Sequence, residues 1–254
     1  MTRLVKNAGP AILFAAGLFA IWQLIAEFRL VSPVFMPAPT RAFGELWTRF
    51  ADGSIWTPFL NTTRRMIVGW FLASLAGIAI GAAIGLNRTA RELLEPTLEF
   101  IRPLPASAMI PVAILFFGLS EKMAAFVVAF GSIWPVLMSS IYGFSYVRVR
   151  LQEVSAVLGL TRWEFLTKIA IPSALPDILA GMRTGLAVSL ILAVVTEMQA
   201  SLPGLGHDVF LAQRSFRSAE LFAGVIMLGV IGVIINHGLQ LAERRLLRWR
   251  PQRD

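Results

Sequence analysis

Apolar positions run along this chain in blocks, separated by short polar stretches rich in arginine, proline or glycine. Six blocks are long enough, as helices, to cross a hydrocarbon layer of about 30 Å: 8–28, 66–86, 104–119, 124–146, 178–199 and 221–241. The pattern predicts an all-α membrane protein, a single domain over residues 1–254 with six transmembrane helices. The third block is the shortest, and Pro103, Pro105 and Pro111 predict that it is kinked or partly broken. The first block has a long apolar core and no clear small-x-small cleavage site before Glu27. It therefore reads as an uncleaved helix rather than a signal peptide.

The connecting segments add detail. Val31 to Thr40 is proline-rich and reads as extended and external. Thr40 is a candidate N-cap for an amphipathic helix over 41–50, with Phe43, Leu46, Trp47 and Phe50 at helical spacing. That helix either lies flat at the membrane surface or packs on the other outer loops. The second block carries Gly69, Ala73, Gly77, Gly81 and Gly85, a small residue at every fourth position. A helix face stripped of side chains lets a neighbouring backbone approach closely. It serves either tight packing within the subunit or a smooth surface along which helices slide.

In the fifth block Arg183 lies near the start and Glu197 near the end. At 1.5 Å per residue the helix from 178 to 197 is about 30 Å long, which puts Glu197 at the outer end, within reach of water and bound to a nearby loop or to water. Arg183 is expected to snorkel to the opposite headgroups. Gly204-Leu205-Gly206 follows Pro203 and reads as a tight turn.

Composition narrows the function. With 56% hydrophobic residues and a mean hydropathy of +0.70, the chain is too apolar for an ordinary soluble domain. There is no cysteine, and the two histidines, His207 and His237, are far apart, so no metal site is expected. The net charge of +8 is assigned to juxtamembrane anchoring, not to nucleic acid. With the amino terminus inside, cytoplasmic segments hold Arg3, Lys6, Arg88, Arg91, Arg102, Arg148, Arg150, Arg162, Lys168, Arg244, Arg245, Arg248, Arg250 and Arg253. The outer segments then hold Arg29, Arg41, Arg49, Arg64, Arg65, Lys122, Arg214 and Arg217. The bias favours both termini in the cytoplasm.

No G-x-x-x-x-G-K-[ST], H-E-x-x-H or G-x-S-x-G motif is present, so the chain offers no nucleotide-binding loop, cofactor site or catalytic constellation of its own. The apolar blocks hold few acidic residues, which disfavours ion-driven transport. One segment between the fourth and fifth blocks has a different character. Glu153-Val154-Ser155-Ala156-Val157-Leu158-Gly159 reads as a helix broken by Gly159. Thr161 and Glu164 form a capping box that starts a second short helix, and Pro172 and Pro176 are expected to end it. A compact helical elbow on the cytoplasmic side is suited to docking a partner.

This elbow resembles the EAA loop of ABC importer permeases. Over nearly its whole length the chain is similar to the six-helix permeases of the nitrate, sulfonate and taurine importer family, within the type I ABC importers. The similarity is carried by Pro37-Ala38-Pro39-Thr40, Ile101-Arg102-Pro103-Leu104-Pro105, the elbow, Pro172-Ser173-Ala174-Leu175-Pro176, Thr196-Glu197-Met198 and the ending Glu243-Arg244-Arg245-Leu246-Leu247-Arg248-Trp249-Arg250. Val154-Ser155 stands where family members usually carry two alanines; both residues are small enough for the same packing.

The resemblance implies a permease subunit of an inner-membrane importer that works as a homodimer, with the pathway between the copies. Two cytoplasmic ABC ATPase subunits, which hold ATP and Mg, and an extracytoplasmic substrate-binding protein complete it. Family substrates are often small anions, and also some heterocyclic precursors. Within the elbow, Glu153 would brace the bend with Ala156 beside it, and Gly159 would permit it. Leu158, Leu160, Trp163 and Phe165 would meet the ATPase, Arg162 and Lys168 would form a charged rim, and Pro172 would close the segment. An ABC permease for amino acids or another solute is the alternative within the class; a secondary carrier lies outside it.

Overall fold

The computed structural model describes residues 2–147 and 149–249. Arg148, Arg250 and Arg253 of the charge pattern lie outside the described residues, as do the side chains of Arg3, Lys6 and Arg150. Among the described residues the fold is entirely helical. In chain order the helices are α1 (Thr2–Glu27), α2 (Pro39–Ala51), α3 (Trp56–Gly85), α4 (Arg88–Ile101), α5 (Ile110–Phe117), α6 (Glu121–Ser145), α7 (Val149–Val157), α8 (Arg162–Phe165), α9 (Ile171–Ala200), α10 (Leu205–Arg214) and α11 (Ser218–Leu246).

Helix ends follow local chemistry. The Asn87 side chain accepts from the Ala90 backbone N–H at 3.2 Å and starts α4 after α3 ends. Gly118, at φ 65°, closes α5, and the Ser120 hydroxyl accepts from the Met123 N–H at 3.3 Å to start α6. The N-cap of α2 is Ala38, not Thr40, because Pro39 takes the first helical position, where its missing N–H costs nothing. Helix α2 packs on α11 and α1, with Ala42 buried and Trp47 exposed.

Four helical stretches among the described residues are long and apolar enough to cross a membrane: Trp56–Gly85, Glu121–Ser145, Arg162–Ala200 and Ser218–Leu246. A fifth crossing is available if α4 and the segment Ala106–Phe117, bent by 83°, count as one. The expected third block is thus broken at its prolines, where a 3-10 turn, Ala106–Met109, leads into α5. The apolar part of α1, Leu13–Glu27, is shorter.

The centre is a three-helix bundle of α3, α6 and α9. In lipid, association depends on close packing and polar pairing more than on burial of apolar area. The small residues of α3 serve that packing inside the chain: Gly69, Ala73, Gly77, Gly81 and Gly85 are all buried. A Cβ added at Gly81 would lie 2.4 Å from Ser140 Cβ, and one at Gly85 would lie 2.8 Å from the Ile141 carbonyl oxygen. Gly69 meets Val128 and Gly77 meets Val136 and Leu137 in the same way, all on α6. Gly181 and Gly185 of α9 repeat the device against Pro135, Ser139 and Ser132 of α6.

Two boundaries in the central bundle depart furthest from the sequence expectation. Helix α3 begins ten residues before the expected 66, because Arg64 and Arg65 belong to the helix and not to a loop. The elbow's second helix does not end at Pro172 and Pro176. Residues Arg162–Ala200 form one continuous helix through a π turn at Leu166–Ala170. There the Ile171 N–H reaches back five residues to the Leu166 carbonyl, which widens the turn ahead of Pro172. Pro172 sits at the start of the α-helical run that follows, where it needs no donor, and Pro176 is carried within α9.

Candidate functional site

The elbow lies at one end of the bundle. Helix α7 stops in a Schellman motif: Leu160 N–H donates to the Ser155 carbonyl at 3.1 Å and Gly159 N–H to the Ala156 carbonyl at 3.2 Å. Gly159 carries the required positive φ, 63°, with nothing within 4 Å of where a Cβ would stand. The capping box is present. The Thr161 side chain accepts from the Glu164 N–H at 3.3 Å, and the Glu164 carboxylate accepts from the Thr161 N–H at 3.0 Å. Lys168 adds an ion pair to Glu164 at 2.9 Å.

With its backbone satisfied locally, the elbow can present apolar side chains outward. Leu158 is 66% exposed, Trp163 71% and Val157 87%. Glu153, Ala156, Arg162 and Lys168 are exposed beside them, and Leu160 and Pro172 are half-buried. Phe165 departs from the expectation: with Leu151, Leu166 and Ile169 it packs inward on a core cluster of Phe144, Val147, Ala170, Ala174 and Ile178. It fastens the elbow to the bundle and is not part of the outward face.

At the far end of α9 stands a group of residues that the sequence does not single out together. Glu197 has no exposed surface. Its Oε2 accepts from Thr62 Oγ1 at 2.9 Å and from the Gly206 N–H at 2.8 Å, and its Oε1 accepts from Arg65 Nη1 at 2.8 Å. Arg65, 3% exposed, also donates from Nη1 to the Pro203 carbonyl at 2.7 Å. Its Nε and Nη2 donate to Glu121 at 3.0 and 2.5 Å. The network joins α3, α6, α9 and the entry to α10. The expected loop partner of Glu197 is therefore found, in Gly206, but the expected access to water is not. The reason is steric as well as ionic: a Cβ at Gly204 would lie 2.2 Å from Glu197 Cδ, and one at Gly206 2.5 Å from the Val194 carbonyl oxygen. The two glycines open α10 against the carboxylate instead of making a free turn.

Thr62, Arg65 and Glu121 escape a reading by blocks. Arg65 and Glu121 stand at block edges, where charge is ordinarily solvated. The usable signal was that Arg65 and Glu197, opposite in sign, fall at the outer ends of the second and fifth blocks. Arg183 is paired with Glu243 of α11, a partner the sequence reading did not name.

The chain has the fold of ABC importer permeases. A solved structure described as inward-facing conformations of the MetNI methionine ABC transporter superposes with a TM-score of 0.65 at 17% identity, covering 78% of this chain and 96% of that one. Residues 73–249 match the family described as binding-protein-dependent transport system inner membrane component, and the chain belongs to that family. It is 32% identical over 240 residues to the taurine transport system permease protein TauC of Escherichia coli K12, covering 92% of this chain and 87% of that one. It is 30% identical to a putative aliphatic sulfonates transport permease protein, SsuC, of Bacillus subtilis 168, covering 94% of this chain and 87% of that one. To the bicarbonate transport system permease protein CmpB of Synechococcus elongatus it is 27% identical, covering 91% and 87%.

Proposed function

We propose that this chain is one of two identical permease subunits in an importer that carries a small anion of the sulfonate, taurine, nitrate or bicarbonate type into the cytoplasm. The energy comes from ATP hydrolysed on separate subunits, and an extracytoplasmic binding protein delivers the solute. Both termini and the elbow face the cytoplasm. The observation that carries this reading is the elbow itself: an outward apolar face on a frame held by a local Schellman motif and capping box, continuous through α8 and the π turn with spanning helix α9. A push on Trp163 is transmitted along a single helix of 39 residues, so movement of the ATPase becomes movement of the bundle. The substrate class is supported by the relatives above, which are named for taurine, aliphatic sulfonates and bicarbonate.

The role of each elbow residue follows its position. Leu158 and Trp163 meet the ATPase, with Leu160 at the edge of the contact and Arg162 and Lys168 on its charged rim. Glu153 and Ala156 lie on the approach, and Gly159 sets the angle. The small-residue face of α3 keeps the bundle rigid while it turns.

The test is reconstitution. The chain with its ATPase and binding protein, sealed in liposomes, should accumulate taurine, ethanesulfonate or bicarbonate only when ATP is supplied on the elbow side. The chain alone should hydrolyse no ATP. Accumulation of a neutral or cationic amino acid, with none of the anions moved, would replace the substrate class. Uptake without any ATPase would replace the mechanism.

A further inference from the structure

Helix α2 has three faces, and the fold accounts for two of them. At about 100° per residue, Ala42, Leu46 and Arg49 fall within one sector of about 60°. Arg41, Gly44 and Thr48 fill a second such sector, and Phe43, Trp47 and Phe50 a third. The first faces the bundle: Ala42 is fully buried, Leu46 packs on the core cluster that holds Ile55 and Leu205, and Arg49 is paired with Asp208 of α10. The second is exposed and without apolar bulk, as a solvated face should be. The third exposes three aromatic rings.

The helix cannot turn to hide them. Its start is fastened to α1: Gln23 Nε2 donates to Thr40 Oγ1 and the Thr40 N–H donates to Gln23 Oε1, both at 3.4 Å. Just ahead of it, the Trp22 indole N–H donates to the Pro37 carbonyl at 3.0 Å. Its last turn is held by Arg49 and Asp208. The direction of the aromatic face is therefore set by the fold.

The neighbours of that face say what stands in front of it. Between ring centres, Phe43 is 5.9 Å from Phe19 of α1, Trp47 is 6.4 Å from Phe50, and Phe50 is 5.0 Å from Trp56 at the start of α3. All of these rings are exposed. From Trp56 the row continues along α3 as Leu60, Ile67 and Phe71, exposed side chains that share one sector of the helix, away from Gly69 and Ala73. Helix α3 is long and apolar enough to span a membrane, so this stripe meets lipid. The rings of α2 prolong it at the end of the bundle away from the elbow. That is where aromatic side chains gather in membrane proteins, because a flat apolar ring with a polar edge suits the boundary between headgroups and acyl chains.

We propose that α2 is an interfacial helix, seated in the leaflet at the end opposite the elbow, with Phe43, Trp47 and Phe50 inserted at that boundary. Its partner is the phospholipid layer itself, recognised by apolar area and not by headgroup charge, since no charged side chain shares the aromatic sector. Packing on the bundle and lying flat in the membrane are thus two faces of one helix. Arg49 and Asp208 connect the seat to α10, whose Gly206 N–H closes on Glu197. The inference needs the spanning fold and does not depend on the solute or the ATPase.

The chain has no cysteine, so single cysteines can carry a spin label with no other change. The full chain in phosphatidylcholine liposomes is labelled in turn through Trp47→Cys, Phe50→Cys, Thr48→Cys and Val233→Cys, the last exposed on spanning helix α11. Collisions with oxygen, which concentrates in lipid, are compared with collisions with a water-soluble nickel chelate. The oxygen-to-nickel ratio at position 47 should exceed that at 48 several-fold and fall below that at 233. Position 50 should follow 47, and it decides if Trp47→Cys does not insert.

Nickel access at 47 and 50 equal to that at 48 overturns the proposal, because the rings then stand in water. Protection of both positions from both reagents overturns it too, because a protein surface, a second copy included, then covers the face. If 233 is also open to nickel, the spanning reading falls and the inference with it. A lipid-like ratio at 233 beside water-like ratios at 47 and 50 removes only the lipid seat of α2.

Discussion

At one end of α9 Glu197 has no exposed surface, and both of its oxygens are bonded to partners drawn from α3 and the start of α10. At the other end Trp163 is 71% exposed, and the elbow's Schellman and capping-box hydrogen bonds run between residues a few positions apart. The first end is rigid because distant segments converge on one carboxylate. The second keeps its shape without convergence, so it can bear on another protein without unravelling the bundle. A buried ion pair contributes little net stability when intact, but breaking it is costly. An exposed cap contributes modestly and its loss stays local. The contrast predicts that substitutions of equal chemical size will have unequal reach.

The largest effect is expected at Glu197. Glu197→Gln turns an amide N–H₂ toward groups that already donate and leaves Glu121 as the one charged partner of Arg65 among the described residues; the cost should be about 3–5 kcal/mol, read as a lower unfolding temperature in detergent. Glu121→Gln should cost less, because the Glu121 side chain is half exposed. Equal effects at the two glutamates would break the distinction between buried and open partners.

Gly81→Leu comes next. With Ser140 2.4 Å from the added Cβ, overpacking should cost about 1–3 kcal/mol or more. Ala79→Leu, on the exposed side of α3, should stay within about 0.5 kcal/mol. Thermal unfolding of the two variants side by side checks this.

At the elbow the effect on global stability should be smaller and the effect on function larger. Gly159→Val places a β-branched residue at φ 63°, a local strain of about 1–2 kcal/mol. Folding should survive while co-purification with the ATPase drops. Trp163→Ser should leave unfolding within about 0.5 kcal/mol of the parent and still weaken ATPase capture. Loss of stability comparable to that of Glu197→Gln would show that the elbow is part of the core.

How much of this was legible in the sequence follows the same contrast. Gly159, Thr161 and Glu164 act over three to five positions, so their spacing announces the motif they form. The apolar blocks announce the spanning helices for the same reason. The Arg65–Glu197 pair joins residues 132 apart in sequence, and no local pattern records that. Phe165 has the same helical spacing as its exposed neighbours, and only the packing of α6 and α9 determines that it turns inward. Pro172 and Pro176 were legible as helix breakers; the π turn that accommodates Pro172 leaves no residue signature of its own.

That π turn also sets an angle. Each residue of an α-helix advances the side chains by about 100° around the axis, and a π turn accommodates one residue more than the regular ladder would. Were Leu166–Ala170 to close into regular α geometry with no residue removed, the residues before it would be rotated by roughly 100° about the helix axis relative to those after it. Trp163 would point away from its present direction while α9 kept its seat against α3 and α6. The chain thus carries a compass setting in its backbone: one extra residue decides which way the elbow looks out from the membrane.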